Sequence, residues 1–208
     1  MAALALLEGA QAGELRATVR DREGRPVAGA VVVAVPQAPG ALPARPRLEQ
    51  IEQLDLEFVP GVKAVQVGSA VAFPNRDRVR HHVYSFSQPK RFEMSVLAGT
   101  EAPPVVFDTP GVVAVGCNIH DWMVGYIYVA ESPFFAATAG DGRALVKGLP
   151  AGRYGVRVWH PRLASAEEST RREAVIRAER AAALDWRLEL KPESYTPRAP
   201  AAGRRERK

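Results

Sequence analysis

The sequence predicts an all-β protein, and three observations carry that reading. Valine recurs in short runs that glycine and proline interrupt. Apolar and polar residues alternate over several short segments, the period of a half-buried strand. The 17 glycines and 17 prolines suit a chain of many turns rather than one of long helices. A hydrophobic content of 47% is ordinary for a globular chain and excludes a wholly disordered one.

Glu14 to Arg20 opens the first strand, with Leu15, Ala17 and Val19 on one side and Arg16, Thr18 and Arg20 on the other. Asp21 to Pro26 reads as a turn, and Val31 to Val35 as a second strand. Pro36 to Pro46 holds four prolines and no period, so it reads as a linker or long loop. Leu54, Leu56 and Phe58 alternate with charged residues and predict a further strand. Val62 to Val67, Ala70 to Phe73, Val83 to Phe86, Phe92 to Leu97, Val105 to Phe107, Gly111 to Val115 and Tyr126 to Val129 follow. About eight short strands suit a small β-sandwich with Greek-key connections.

Past Ala130, Gly140-Asp141-Gly142 marks a turn, and Leu149-Pro150-Ala151-Gly152 a corner before Val156 and Val158. Glu167 to Arg180 has Glu and Arg at i,i+4 spacing, which suits a short helix, while Ala174-Val175-Ile176 within it suits a strand equally. Leu184, Trp186, Leu188 and Leu190 alternate with polar residues and predict a closing strand.

The net charge of +5 is uneven. Lys191 onward carries six Lys/Arg and two Glu, a net of +4, which leaves +1 for the rest. Basic residues gathered in a tail, not on a folded face, exclude a nucleic-acid binder. Residues 191–208 have no apolar period and are expected to be disordered. No stretch is long and apolar enough for a transmembrane helix. Met1 to Leu7 is apolar, and Ala10-Gln11-Ala12 is an A-x-A-like cleavage site before Gly13. Residues 1–12 are therefore expected to be the remnant of a signal peptide, which places the chain in the periplasm or otherwise outside the cytoplasm.

The single cysteine, Cys117, excludes an intramolecular disulfide and needs another role. His120 follows three residues later, and Met123 three after that. Thiolate, imidazole and thioether form a soft donor set that suits copper better than magnesium or calcium. On a regular strand, odd offsets point to opposite faces, so one ion requires a tight loop here. Upstream, His81 and His82 supply candidates for a further donor. One of them with Cys117 and His120 gives a trigonal His2Cys set, with Met123 as a weak axial ligand. Asp121 is a candidate hard ligand, and His160 stands alone as a structural or surface residue. A structural zinc site wants four firm ligands, and a Cys-His nucleophile wants an orienting third group; the motif supplies neither. No Walker loop, dinucleotide fingerprint or HExxH appears, so no enzyme is expected.

Cys117, His120, Met123, Gly125, Ile127 and Val129 follow a Cys-x-x-His-x-x-Met-x-Gly-x-Val-x-Val pattern, and Asn75 precedes Arg80-His81-His82-Val83. In these residues, the stretch 48–131 resembles the cupredoxins, most closely blue copper proteins of the amicyanin and plastocyanin type. It also resembles cupredoxin-like proteins of the methylamine-utilization type. The resemblance implies a Greek-key β-sandwich with one type 1 copper site, Cu(I)/Cu(II), held by His81, Cys117, His120 and Met123. It further implies a periplasmic carrier of single electrons between redox protein partners, such as a cytochrome or a dehydrogenase. Trp122 and Tyr126 are candidates for an apolar docking patch or for the core. His82 and Asn118 depart from the family, which has Asn after the first ligand and Ser or Thr after the cysteine.

A second resemblance frames the first. Val19, Asp21, Gly24, Pro26, Val27, Gly29, Ala30 and Val32 early, with Leu149-Pro150-Ala151-Gly152-Arg153-Tyr154 late, resemble a carboxypeptidase-regulatory, transthyretin-like β-sandwich. The resemblance implies that residues 14–36 and 132–190 make one discontinuous sandwich, with the 48–131 cupredoxin inserted in it. Insertion is cheap where the inserted domain's termini lie close together, and an N-terminal hairpin alone is marginal. Two other functions stay open: a non-redox copper-binding or delivery module, and a β-sandwich adhesion or carbohydrate-binding protein.

Overall fold

The computed structural model describes residues 12–193 except 39, 41, 43, 44 and 179. The expected signal remnant up to residue 11, four residues of the proline-rich linker and the tail from residue 194 lie outside the described residues.

The strands β1 (Gly13–Asp21) and β2 (Val31–Pro36) come first. Then follow β3 (Leu48–Gln50), β4 (Glu52–Leu54), β5 (Glu57–Val59), β6 (Val62–Gln66), β7 (Ala70–Ala72), β8 (His81–Ser85), β9 (Phe92–Val96) and β10 (Val105–Val106). The cysteine loop is bracketed by β11 (Gly111–Cys117) and β12 (Val124–Ala130). The chain continues with β13 (Phe135–Ala137), β14 (Arg143–Leu149), β15 (Gly152–Trp159), β16 (Arg172–Ile176) and β17 (Ala182–Leu188). A 3-10 turn at Glu167–Thr170 precedes β16. The architecture is all-β.

Four of the sheets stack as layers. The outer sheet β14-β1-β17 faces the sheet β13-β2-β15-β16 across a core that includes Leu15, Val19, Val32, Val156, Trp186 and Leu188. The five-stranded sheet β6-β12-β11-β8-β9 faces β10-β7-β3 across a second core, which holds Phe73, Phe107, Val115, Cys117, Met123 and Ile127. Between these pairs, Val31 and Val33 of β2 pack on Tyr128 and Ala130 of β12, with Trp159 alongside. Strands from the two ends of the chain are thus interleaved: β1 runs antiparallel to β14 and parallel to β17, and β2 runs antiparallel to β13 and β15.

This layering explains two sequence patterns. β1 has one face on a core and alternates. β2 has a core on each face, so Val31, Val32, Val33 and Ala34 are all fully buried and the strand reads as an unbroken apolar run. Each of those valines stabilises the fold by about 1.5–3 kcal/mol on area grounds.

The structure corrects or decides the sequence reading in three places. The alternating segment from Leu54 to Phe58 is a tight hairpin, β4 to β5, instead of one strand. Asp55 and Leu56 at its tip have φ of 54° and 60°, left-handed values that strain non-glycine residues by about 1–3 kcal/mol each. Tertiary contacts hold them there: the Asp77 carboxylate accepts both amides, at 2.8 and 3.1 Å. Of the two readings of Glu167 to Arg180, the strand holds at Ala174-Val175-Ile176 in β16, and the helix is replaced by a single 3-10 turn before it. Thr170 ends that turn by hydrogen bonds with both backbone groups of Val158, which draws the chain onto the edge of β15. Finally, β3 lies just past the proline-rich linker, where the sequence reading placed no strand, and pairs parallel to β7.

A half-buried ionic cluster ties β12 to β15. Arg157 donates to Glu131 and Glu167, and the Tyr128 hydroxyl donates to Glu167 at 2.5 Å. Burial, with Glu167 alongside, pushes the Tyr128 hydroxyl far above its ordinary range, so it stays protonated and donating.

His160, after β15, is half-buried in a cleft of about 1090 Å³ that Trp122 and Tyr126 also line. Its Nδ1 accepts the Arg162 amide at 3.2 Å. Burial, and then the Arg162 charge, hold its pKa below the ordinary 6.5. The unfolded chain therefore binds a proton here that the folded chain does not. Stability is expected to fall as pH drops below 6.5 toward the lower folded-state value, and His160→Gln is expected to flatten that part of the profile. Melting curves of both proteins across this window check it; equal slopes would refute the assignment.

Candidate metal centre

Strand alternation and register place the centre. In β8, His81, Val83 and Ser85 point inward, while His82 and Tyr84 lie on the other face. In β11, Val113, Val115 and Cys117 point inward, and Cys117 stands opposite Val83. Gly116 lets the two strands come close on the other face, because a Cβ there would stand 2.9 Å from Cζ of the Tyr84 ring. The loop is then closed by backbone bonds. Cys117 N donates to Met123 O at 3.2 Å, Met123 N to His120 O at 2.9 Å, and Asn118 N to His82 O at 3.3 Å.

The result is a triangle of donors. Cys117 Sγ lies 3.7 Å from His81 Nδ1 and 3.8 Å from His120 Nδ1, and the two nitrogens are 3.2 Å apart. A point equidistant from the three lies about 2.1 Å from each, which matches a metal–nitrogen bond of about 2.0–2.1 Å and is about 0.2 Å shorter than a metal–sulfur bond. His81 is fully buried, Cys117 is buried and His120 is half-buried.

The proton positions agree with this. His81 Nε2 stands 2.8 Å from Asp77 Oδ2. A carboxylate only accepts, so Nε2 carries a proton, and in the neutral ring this makes Nδ1 the acceptor that faces the sulfur. Burial, and then the facing His81, hold the His120 pKa below the ordinary 6.5, which leaves this imidazole neutral at pH 7. Two imidazole nitrogens and one sulfur thus converge on one point, with no cationic group among them. The donor set fits a soft or borderline metal.

Met123 is buried in the same core cluster as Cys117, one residue before β12 begins. His82 and Asp121 fall outside the donor group: the His82 ring is on the far face of β8 with Nδ1 buried and without a partner, and Asp121 is exposed. Trp122 is half-buried, packs on the core beside the centre, and lies 5.4 Å from the His120 ring. Asp77 was not singled out in the sequence. Its one signal there is a carboxylate four residues before a candidate histidine ligand.

Fold and site together define an all-β protein with a buried His-Cys-His centre at one end of a five-stranded sheet. No family model and no curated relative matches the chain. Solved structures similar to it include a copper-containing nitrite reductase from Thermus scotoductus SA-01, at 28% identity over 47% of this chain and 25% of that one, with a TM-score of 0.39. A purple cupredoxin from Nitrosopumilus maritimus is similar at 25% identity over 39% of this chain and 99% of that one, with a TM-score of 0.35. An oxidised amicyanin variant is similar at 18% identity over 40% of this chain and 82% of that one, with a TM-score of 0.36. This chain spans only a quarter of the nitrite reductase's length.

Proposed function

We propose that the chain is a type 1 copper protein that carries single electrons between redox protein partners, and is not itself an enzyme. The observation that supports this best is the donor triangle of His81 Nδ1, Cys117 Sγ and His120 Nδ1, whose centre lies at metal–nitrogen bonding length and within about 0.2 Å of metal–sulfur bonding length. Copper bound there would supply one-electron chemistry between Cu(I) and Cu(II). Met123 is the weak fourth donor in this reading, supported by its burial beside Cys117 and its place in the closed loop.

The residues around the donors do the rest. Burial of His81 and Cys117 keeps water from the inner side of the centre. The β8 and β11 pairing fixes two donors on rigid strands, so little rearrangement accompanies a change of oxidation state. His120, half-buried, is the most exposed of the three donors and would be the route by which electrons enter and leave bound copper.

In the same reading, residues 14–36 and 132–190 form a transthyretin-like sandwich interrupted by the copper domain, supported by the pairing of β1 and β2 with strands beyond residue 132. Its role is to position the centre against a partner. The periplasm, or another extracytoplasmic compartment, is the proposed place of action.

The test is a copper titration followed by a redox titration. One equivalent of copper(II) is expected to give an intense visible thiolate-to-copper band that a one-electron reductant bleaches and an oxidant restores. A complex that stays colourless and does not cycle would overturn the electron-carrier reading in favour of copper delivery.

A further inference from the structure

The two imidazoles of the centre are joined by a second route that avoids the metal position. From His81, Nε2 reaches Asp77 Oδ2 at 2.8 Å. That same oxygen accepts Leu56 N at 3.1 Å, and Oδ1 accepts Asp55 N at 2.8 Å. From Leu56, the carbonyl accepts Trp122 Nε1 at 3.2 Å. The Trp122 ring then packs on the His120 ring, with centroids 5.4 Å apart.

Each link is built in. The Asp77 side chain is only 11% exposed, and its amide donates to Asn75 Oδ1 at 2.9 Å. Asn75 is buried and is tied in turn to the carbonyls of Val79 and Val96. Asp55 and Leu56 are the only non-glycine residues with left-handed φ among the described residues. A two-residue hairpin of this kind ordinarily takes Asn-Gly or Asp-Gly, and leucine at its second position goes against turn chemistry. Strained backbone persists where the surroundings hold it in place, and it gathers at functional sites. Here it brings two amides to one carboxylate and aims one carbonyl at Trp122.

We propose that Asp77 and the β4–β5 tip form an outer clamp on both imidazoles. In it, Asp77 acts as an anionic positioning residue that fixes the His81 tautomer and lowers the reduction potential of the centre. The effect on potential rests on the copper reading above; the hydrogen-bonded clamp does not. A carboxylate on the remote nitrogen makes the imidazole a stronger donor, and a stronger donor favours copper(II) over copper(I).

Two measurements test this separately. Nitrogen-15 NMR of the metal-free protein reads the His81 tautomer: Nε2–H with a bare Nδ1 is expected, and an Nδ1–H tautomer would overturn the clamp. Redox titration of the copper-loaded protein then compares wild type with Asp77→Asn, Trp122→Phe and the double variant. Asp77→Asn is expected to weaken copper(II) binding relative to copper(I) binding by about 10–100-fold, which for one electron is a rise in potential of about 60–120 mV. Trp122→Phe keeps the ring but loses the donor, and its effect on potential is expected to be non-additive with that of Asp77→Asn, since both act through Leu56. An unchanged potential in Asp77→Asn, in a protein that still binds copper and stays coloured, overturns the positioning role and leaves the copper reading intact. Wild type that binds no copper but shows the Nε2–H tautomer sinks the copper reading and supports the clamp. Should Asp77→Asn unfold, adding Leu56→Gly relieves the left-handed leucine and gives a folded chain for the same comparison.

Discussion

Cys117→Ser is expected to abolish the visible colour of the copper-loaded protein while the metal-free protein keeps its fold. The colour needs electron transfer from sulfur to copper(II), and this chain has one sulfur donor of that kind. A serine hydroxyl at neutral pH is protonated and a poor ligand. Copper(II) affinity should drop by more than the ~10–100-fold that loss of a supporting group costs. The fold should survive because the change in volume is small and the new hydroxyl is not orphaned. Burying an unpartnered hydroxyl costs about 1–3 kcal/mol. Here, the Nδ1 atoms of His81 and His120 already lie 3.7 and 3.8 Å from the sulfur, so small shifts give it an acceptor. Visible absorbance, copper titration and a thermal melt of each form make the check. A serine protein that remains coloured would remove Cys117 from the centre.

Cutting the chain between residues 38 and 46, at an introduced protease site, is expected to leave the N-terminal piece bound to the rest. β1 lies between β14 and β17, and β2 between β13 and β15, so the piece has lost its covalent tie but none of its ladders. Leu15, Val19, Val31, Val32 and Val33 in that piece are fully buried. Leu15→Ala alone is expected to cost about 2–5 kcal/mol, a large part of the stability of an ordinary domain. The nicked protein should elute as one species under native conditions and separate in denaturant. Release of the N-terminal piece from a remainder that stays folded and binds copper would refute the interrupted arrangement.

The sequence was most readable where one face of a strand meets a core. β1 and β17 alternate cleanly because their outer faces meet water. β2 could be placed as a strand but not oriented, since both of its faces are buried. The hairpin tip at Asp55 and Leu56 was not legible: leucine carries no signal for a left-handed turn, and the carboxylate that holds it lies 22 and 21 residues away.

The metal centre divides in the same way. Cys117 and His120 stand out because they are close in sequence and unusual in type. Choosing between His81 and His82 requires the phase of β8, which one residue of slip would reverse. Asp77 escaped notice because an acidic residue in a polar loop is ordinary, and only the folded chain turns it toward His81 Nε2.

The interleaving of chain ends has a consequence for how the molecule is made. Val31 to Val35 is uncharged, valine-rich and free of proline, the composition of a segment that self-associates when exposed. Its partner Phe135 is 102 residues further on, and the β17 partners of β1 are over 160 residues away. At ordinary synthesis rates, the interval between emergence of β2 and of β17 is about 8–30 s. Until β13, β14 and β15 emerge, the cysteine-loop strands can pair among themselves while β1 and β2 wait with both edges open, and one edge of β1 stays open until β17. The first strands to be made are therefore the last to be enclosed. The demand for a holding chaperone is set by the N-terminal valines, far from the residues that hold the metal.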